Sequence, residues 1–463
     1  MATNTQRTPT ATIDRERIEE LREELGGAVF TPGEAGYIAA ISLWNGMIEG
    51  HPSLVVQPAG VSDVMRAIAF ARAHGLERSV KGGGHNVAGL ATTDGGLMLD
   101  LAQMRHVRVD PEQRTARVAG GARWADLDRE AGAFGLATTG GVISTTGVAG
   151  LTLGGGVGWL IGKHGLASDN LRSVDVVTAT GELVTASAET HPDLFWALRG
   201  GGGNFGVATS FEFDLHPQPM VYAGMVAHPP DRAREVLDLF RTVSASAPDE
   251  LTAYCGVLAE PEHGQRIAGI PFCWSGDMDR AEEVLKPILE FGPPVMTMAG
   301  PMPYAAWNGA NDALFPPDRR YYWKSAMMHE LDDAVLDAVA EFGANAPLQW
   351  LNATIECYAG EMNRIAADAT AFPHRDARYQ LVIVGAWDEP EEDAIGRKWV
   401  RDLHEAVAPY AKDGDYLNFV ALDGVDRQER IRAGYGSHWD RLVEIKRRYD
   451  PENIFHRNNN VTP

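Results

Sequence analysis

Cysteine is nearly missing from this 463-residue chain: Cys255, Cys273 and Cys357 are the only three, an odd number set far apart. That excludes a disulfide framework, and the lack of CxxC or HExxH spacing argues against a structural or catalytic metal. The three read as small buried apolar residues in a reducing compartment. Lysine is scarce as well, seven of 41 basic residues, against 63 acidic ones. The resulting net charge of −22 has the wrong sign for a nucleic-acid partner, which needs a basic stripe. A lysine-poor acidic surface suits a salt-rich cytosol, although a GC-rich genome produces the same arginine bias. No run of about eighteen apolar residues occurs, so no membrane span is expected. The polar start Met1–Arg7 and the charged stretch Asp14–Glu24 carry no secretory segment, and the reading is a cytoplasmic protein. There is no GxxxxGK[ST] loop, which excludes a P-loop nucleotide site.

What is present is an ordinary globular composition, 44% hydrophobic and 22% charged, long enough for two or three domains. From Leu54 to Leu215, short apolar runs at 54–56, 78–81, 96–101, 107–109, 116–118, 171–179 and 207–215 read as strands. Helical periods fall at about 62–73, with Ser62-Asp63 as cap, and at 123–133. The character changes at Pro217-Gln218-Pro219. Longer strands at 251–258, 266–272, 321–327, 350–358 and 379–386 then alternate with amphipathic helices at 231–243, 279–291, 331–342 and 391–407. This is an α+β pattern with a mostly antiparallel sheet backed by helices. A compact tail follows from about Asp415.

Glycine is the distinctive residue, 50 in all, and it is concentrated in clusters. The first, Gly82-Gly83-Gly84-His85-Asn86-Val87-Ala88-Gly89, follows a strand and ends on a nucleophilic imidazole. Backbone without Cβ atoms folds tightly and turns its N–H groups on an anion, typically a phosphate. Further clusters lie at Gly140–Gly150, Gly154–Gly158 and Gly200–Gly206. Each of these alone reads as close packing between elements; together with His85 they read as main chain laid along an extended ligand. Gly201–Gly206 matches GxGxxG, but a helical 193–198 precedes it and a strand follows, the reverse of the order a dinucleotide fold requires.

The clusters, in this order, resemble the vanillyl-alcohol-oxidase-type flavoproteins, which share a p-cresol-methylhydroxylase-type FAD-binding domain. The likeness is strongest to bacterial members of the berberine-bridge-enzyme-like branch. It rests on Gly82–Asn86, on Gly150–Trp159, on Asp193–Gly206, on Ala371-Phe372-Pro373-His374-Arg375-Asp376-Ala377 and on Tyr449-Asp450-Pro451. The resemblance implies a split FAD domain, residues 1–217 with 415–463, around a substrate domain at 218–414. It implies FAD bonded through its 8α carbon to His85, with Lys81, Gly82, Gly83, Gly84, Asn86 and Gly89 around the pyrophosphate. Gly140, Gly141, Thr145, Thr146, Gly147, Gly150, Gly154, Gly155 and Trp159 would follow the cofactor toward its ring. Gly203, Val207, Asn458 and Asn460 complete the implied set.

The chain also departs from the family. Relatives with a second covalent link carry a cysteine where Ile143 stands, so one bond, through His85, is expected. The tyrosine base that ends a Tyr-x-Asn-Tyr stretch in sugar oxidases is replaced in Tyr416-Leu417-Asn418-Phe419, and the oxygen-gating position corresponds to Thr146. Candidates for a general base are then Tyr416, Tyr322 with Lys324, Glu356, Tyr358 and His374. Tyr322 and Lys324, two apart on a strand and so on one face, are the preferred pair, because a cation lowers a phenol's pKa. Strand alternation would turn Tyr416 away from the side that Phe419 faces, while His374 reads as part of a loop-fixing cluster. The expected activity is oxidation of a small sugar, alcohol, amine or secondary metabolite by hydride transfer to flavin N5, with O2 as acceptor, by a monomer or homo-oligomer. A flavin protein without turnover is the alternative, and a nicotinamide dehydrogenase has only the reversed GxGxxG in its favour.

Overall fold

The computed structural model describes residues 13–260, 263–412, 414–419, 421 and 427–463. Two larger sheets and a two-stranded one, Leu136–Ala137 with His216–Pro217, occupy the described residues of the first part of the chain. One orders its strands Ala28–Phe30, Leu54–Gln57, Leu97–Asp100, Arg78–Lys81, with the last three parallel. Helix Val61–Ala73 joins two of them and buries Val64, Ala67, Ile68 and Ala71 along one stripe. Its cap differs from the expected Ser62-Asp63: Gly60 is the N-cap. Asp63, inside the first turn, accepts the N–H groups of Gly26, Gly27 and Ala59, tying the preceding loop to the helix start. The second sheet is antiparallel, in the order Val107–Asp110, Thr115–Ala119, Val207–Asp214, Leu171–Val177, Leu183–Ser187. Helix Pro192–Ala197 precedes the fourth glycine cluster and strand Val207–Asp214 follows it, so the GxGxxG match lies outside any dinucleotide-binding turn.

The middle of the chain forms a seven-stranded antiparallel sheet. Its order is Met296–Pro303, Met220–His228, Arg266–Trp274, Leu251–Ala259, Asn352–Cys357, Tyr379–Trp387, Arg320–Met328. Sequence patterning misses the first two. Met296–Pro303 contains Gly300, Pro301 and Pro303, which only an edge strand tolerates, and it is the edge. Met220–His228 is buried on both faces along most of its length and shows no alternation. Helices Ala233–Ala245, Ala281–Leu289, Asp333–Ala344 and Asp393–Val407 cover one face, packing Val236, Phe240, Leu285, Leu336 and Leu403 against Phe272, Trp274 and Trp387. The other face turns to the first part of the chain.

The tail returns to that first part. Helices Arg427–Tyr435 and Trp439–Tyr449 place Tyr435, Leu442 and Ile445 in a core with Trp196, Phe211 and Phe213. Beyond them, Ile454 and Phe455 enter the core of the four-stranded sheet. A fully buried ion pair fixes the return: Lys446 Nζ lies 2.6 Å from Asp450 Oδ2 and also donates to the carbonyls of Asn204 and Phe455. Asp450 in turn accepts the N–H groups of Ile454 and Phe455. Every polar atom of the pair therefore has a partner, which is the condition for burying such charges.

Candidate active site

Strand Arg78–Lys81 delivers the chain into Gly82–Gly84, and Gly84 adopts a φ of 72°, in the left-handed region. A Cβ at Gly83 would overlap the backbone N of Gly147, and one at Gly147 the backbone N of Gly83. The first two glycine clusters thus meet main chain to main chain. With the later clusters and the tail they border a cavity of about 430 Å³ that continues onto the open face of the seven-stranded sheet. Of the cofactor residues expected from sequence, Gly82, Gly83, Gly84, His85, Asn86, Gly141, Thr146, Gly147, Gly150, Trp159, Gly203 and Asn458 line it. The side-chain oxygens of Asn458 and Asn460 are buried without a protein partner, as acceptors awaiting a ligand are.

The rest of that set has other work. Lys81 turns away, donating to the carbonyl of Ala40 at 2.6 Å and pairing with Asp100 at 3.3 Å. Gly89 packs on Ile48, Gly140 on the Trp124 ring, Gly154 on Asn418 and Gly155 on Phe372, while Val207 belongs to the core beneath the four-stranded sheet. None of these lines the cavity. Arg457, Asn459, Ala149 and Leu153 line it as well, outside the expected set.

His85 is half-buried among groups that hold its ring. Thr145 Oγ1 lies 2.9 Å from Nε2, Thr146 Oγ1 lies 3.4 Å from Nδ1, and the ring stacks on Trp44 at 4.7 Å and 18°. Trp44 is itself anchored through Nε1 to the carbonyl of Phe315 at 3.0 Å and stacks on Tyr321 at 3.7 Å. Burial, with a smaller push from the Arg123 guanidinium, lowers the imidazole pKa to about 3, so the ring is neutral at physiological pH. Trp44 is invisible to motif reading because it comes from a separate loop some forty residues earlier in the chain.

The sheet side of the cavity corrects the expected base. Trp323 lines the cavity, so its neighbours Tyr322 and Lys324 point to the helix-covered face. There the Tyr322 hydroxyl accepts from Arg401 Nε at 3.1 Å, and the guanidiniums of Arg397 and Arg401 lie over its ring. Tyr416 and Phe419 differ from expectation in the opposite sense. Residues Leu417–Phe419 form a 3₁₀ turn, in which positions three apart eclipse, so both side chains line the cavity with ring centroids 5.1 Å apart. The Tyr416 hydroxyl accepts from the Gly156 N–H at 3.1 Å and from Asn418 Nδ2 at 2.8 Å, and burial raises its pKa. His374 bonds the carbonyl of Asp415 at 3.2 Å, and its neighbour Arg375 forms a buried pair with Asp169 at 2.6 Å, the loop-fixing cluster read from the sequence.

Asn352, Thr354 and Glu356 alternate onto the cavity face of their strand, opposite Gly256 and Tyr254 of the neighbouring strand. Among the described residues that line the cavity, Glu356 is the only carboxylate. Burial pushes its pKa up to about 7, partly offset by a hydrogen bond from the Tyr358 hydroxyl at 2.7 Å. Around it the lining is aromatic and apolar: Trp159 stacked on Tyr254 at 4.5 Å, then Trp307, Phe315, Trp323, Phe419, Met225, Met298, Leu258, Val382 and Val384.

Comparison with known proteins places this geometry. Residues 52–187 match the FAD binding domain model, and residues 415–462 match the berberine and berberine-like model. An FAD-linked oxidoreductase of Dictyostelium discoideum is 31% identical over 451 residues, covering 96% of this chain and 97% of that protein. The chain belongs to the berberine-bridge-enzyme-like FAD-linked oxidoreductases. Within the family, (R)-6-hydroxynicotine oxidase of Paenarthrobacter nicotinovorans is 42% identical over 205 residues, 44% of this chain and 45% of that protein. The crystal structure of 6-hydroxy-D-nicotine oxidase from Arthrobacter nicotinovorans superposes with a TM-score of 0.85 at 29% identity, covering 95% of this chain and 98% of that one. The protein is thus an FAD-dependent oxidoreductase, and the glycine-walled cavity with its unpartnered asparagine oxygens fits the cofactor. Among the described residues no helix is long and apolar enough to cross a membrane, and no cluster of three metal-ligating side chains occurs.

Proposed function

We propose that this oxidoreductase carries its FAD on His85 and oxidises a small, largely apolar ring-bearing amine or alcohol, with Glu356 as general base. The observation that carries the reading is the position and chemistry of Glu356, a lone buried carboxyl on the sheet face of the cavity with a pKa near neutrality. Such a group suits proton transfer at working pH, a contribution of about a hundred- to ten-thousand-fold. It also weighs against a flavin protein without turnover, since Glu356 offers a base in the same cavity where Phe419 offers none.

Bound FAD supplies a two-electron acceptor at its N5. Glu356 takes the proton from the substrate O–H or N–H, while Tyr358 holds the carboxyl in place. The neutral imidazole of His85, clasped by Thr145 and Thr146 and backed by Trp44, presents an unprotonated nitrogen, as a bond to carbon requires. Thr146 lines the cavity beside it, at the position to which the family resemblance assigns oxygen access, and O2 is the proposed acceptor. The division into residues 1–217 with 415–463 around 218–414 puts the cradle on one part and the base on the other.

The substrate class follows from the lining. Among the described residues, the middle part of the chain lines the cavity with few polar groups, Asn311, Asn352, Thr354, Glu356, the Tyr254 hydroxyl and the Trp307 and Trp323 indole N–H groups, set in an aromatic wall. An oligosaccharide would leave many hydroxyls without partners there, at about 1–3 kcal/mol each. Among the described lining residues, this part contributes no cation to receive an acid. The likeness to a protein named for hydroxynicotine, a small nitrogen heterocycle, points the same way. Two measurements test the reading. Acid-precipitated protein should remain yellow, and anaerobic addition of ring-bearing amines and alcohols should bleach the flavin where oligosaccharides do not. Bleaching by oligosaccharides alone would overturn the substrate class, and the absence of flavin would overturn the whole reading.

A further inference from the structure

The Glu356 carboxyl meets a hydroxyl that faces two acceptors. Tyr358 Oη lies 2.7 Å from Glu356 Oε2 and also contacts Gln380 Oε1, yet it has one proton to donate. Glu356 and Gln380 are paired across adjacent strands, so the three groups are held together by the sheet itself. Gln380 Nε2, on the same amide, is buried with no partner. Two arrangements satisfy the triad. With Glu356 protonated, its O–H donates to Tyr358 Oη and Tyr358 donates to Gln380 Oε1. With Glu356 ionised, Tyr358 donates to the carboxylate, and the Gln380 amide turned over donates Nε2–H to Tyr358 Oη. An amide is the side chain that serves both, because it offers an acceptor and a donor from nearly the same shape.

We infer that Tyr358 and Gln380 are positioning residues for the base, and that the Gln380 amide turns over as Glu356 gains and loses its proton. The carboxyl then keeps one orientation through the transfer, whichever form it is in. This rests on Glu356 being the base. The triad is a clamp rather than an exit route, since Tyr358 is buried in an apolar cluster with Met327, Met362, Phe372 and Tyr416. The titratable groups that interact with Glu356 from the surrounding elements are Tyr254, Tyr358 and Tyr416, all phenols that burial pushes above their ordinary range. Across neutral pH only Glu356 among them changes charge.

The inference predicts shifts of opposite sign. In Tyr358→Phe the ionised carboxyl loses its charge-assisted donor, so the protonated form gains and the pKa rises by about one unit. In Gln380→Met the protonated form leaves the Tyr358 hydroxyl proton without an acceptor. That costs more than the lone pair left open in the ionised form, so the pKa falls. The measurement is the Glu356 carboxyl stretch, from infrared difference spectra of flavin-loaded protein against Glu356→Gln, titrated with pH and compared with the pH profile of anaerobic flavin reduction. Opposite shifts in the two variants are expected, with the flavin absorbance of each unchanged. No shift in either, or shifts of the same sign, would overturn the inference. If Tyr358→Phe does not fold, the downward shift in Gln380→Met decides alone, and an upward or absent shift there overturns it. A normal reduction rate in Glu356→Gln would instead remove the base assignment.

Discussion

Replacing Glu356 with glutamine should trade catalysis for stability, and both sides of that exchange can be worked out. The side chain is 9% exposed, and its pKa stands at about 7 against 4.5 for an ordinary glutamate. Below pH 4.5 the carboxyl is protonated in folded and unfolded chains alike and costs nothing. Between the two values the folded protein keeps a proton that the unfolded chain releases, so stability falls as pH rises. Above pH 7 the full penalty is present, about 3 kcal/mol. Glutamine has nearly the same shape, stays neutral and still accepts from Tyr358. The flavin-loaded variant should therefore match the wild type at pH 5 and be more stable at pH 8, with a melting temperature higher by a few degrees, about 1 kcal/mol per degree or two for a chain of this size. Substrate reduction of the flavin should drop by about a hundred- to ten-thousand-fold, and the wild-type rise in rate through pH 7 should vanish. A variant that reduces within tenfold of the wild-type rate, or melts with the same pH dependence, would refute the assignment of Glu356 as a buried base.

Other expectations follow from the cradle and the tail. Denaturing His85→Ala in acid should release the colour into the supernatant, while the wild-type pellet stays yellow; a yellow variant pellet would put the attachment elsewhere. Gly83→Ala drives a Cβ into the Gly147 backbone, and purified protein should carry little flavin by absorbance even where its circular dichroism is retained. Asp450→Asn leaves Lys446 buried beside a neutral partner, which should lower stability by about 3–5 kcal/mol and shift the urea midpoint accordingly.

Much of the nucleotide side is legible in the chain because its chemistry is local. A strand running into Gly82–His85 specifies bare backbone beside an imidazole, and neither depends on distant residues. Helix Pro192–Ala197 and strand Val207–Asp214 around the reversed GxGxxG are likewise read directly, which disposes of a dinucleotide fold. Cradle and packing glycines look alike in sequence, however: Gly140 and Gly147 sit in one cluster, yet the first packs on Trp124 and the second meets Gly83. The side of the sheet that Tyr322 and Lys324 face is hidden for the same kind of reason. Alternation puts Tyr322 and Lys324 on one face without saying which face, and both of its faces are buried, so hydrophobicity carries no label. Phe419 and Tyr416 share a side because the chain there turns as a 3₁₀ helix.

Local sequence thus determined the strands, the flexible main chain and the imidazole beside it, since backbone freedom and side-chain identity belong to each residue. Tertiary structure alone decided that Glu356 faces this cavity, that Trp44 backs His85, and that Arg457 joins the lining. Those are contacts between segments up to several hundred residues apart, set by which way each sheet face turns when the parts pack together.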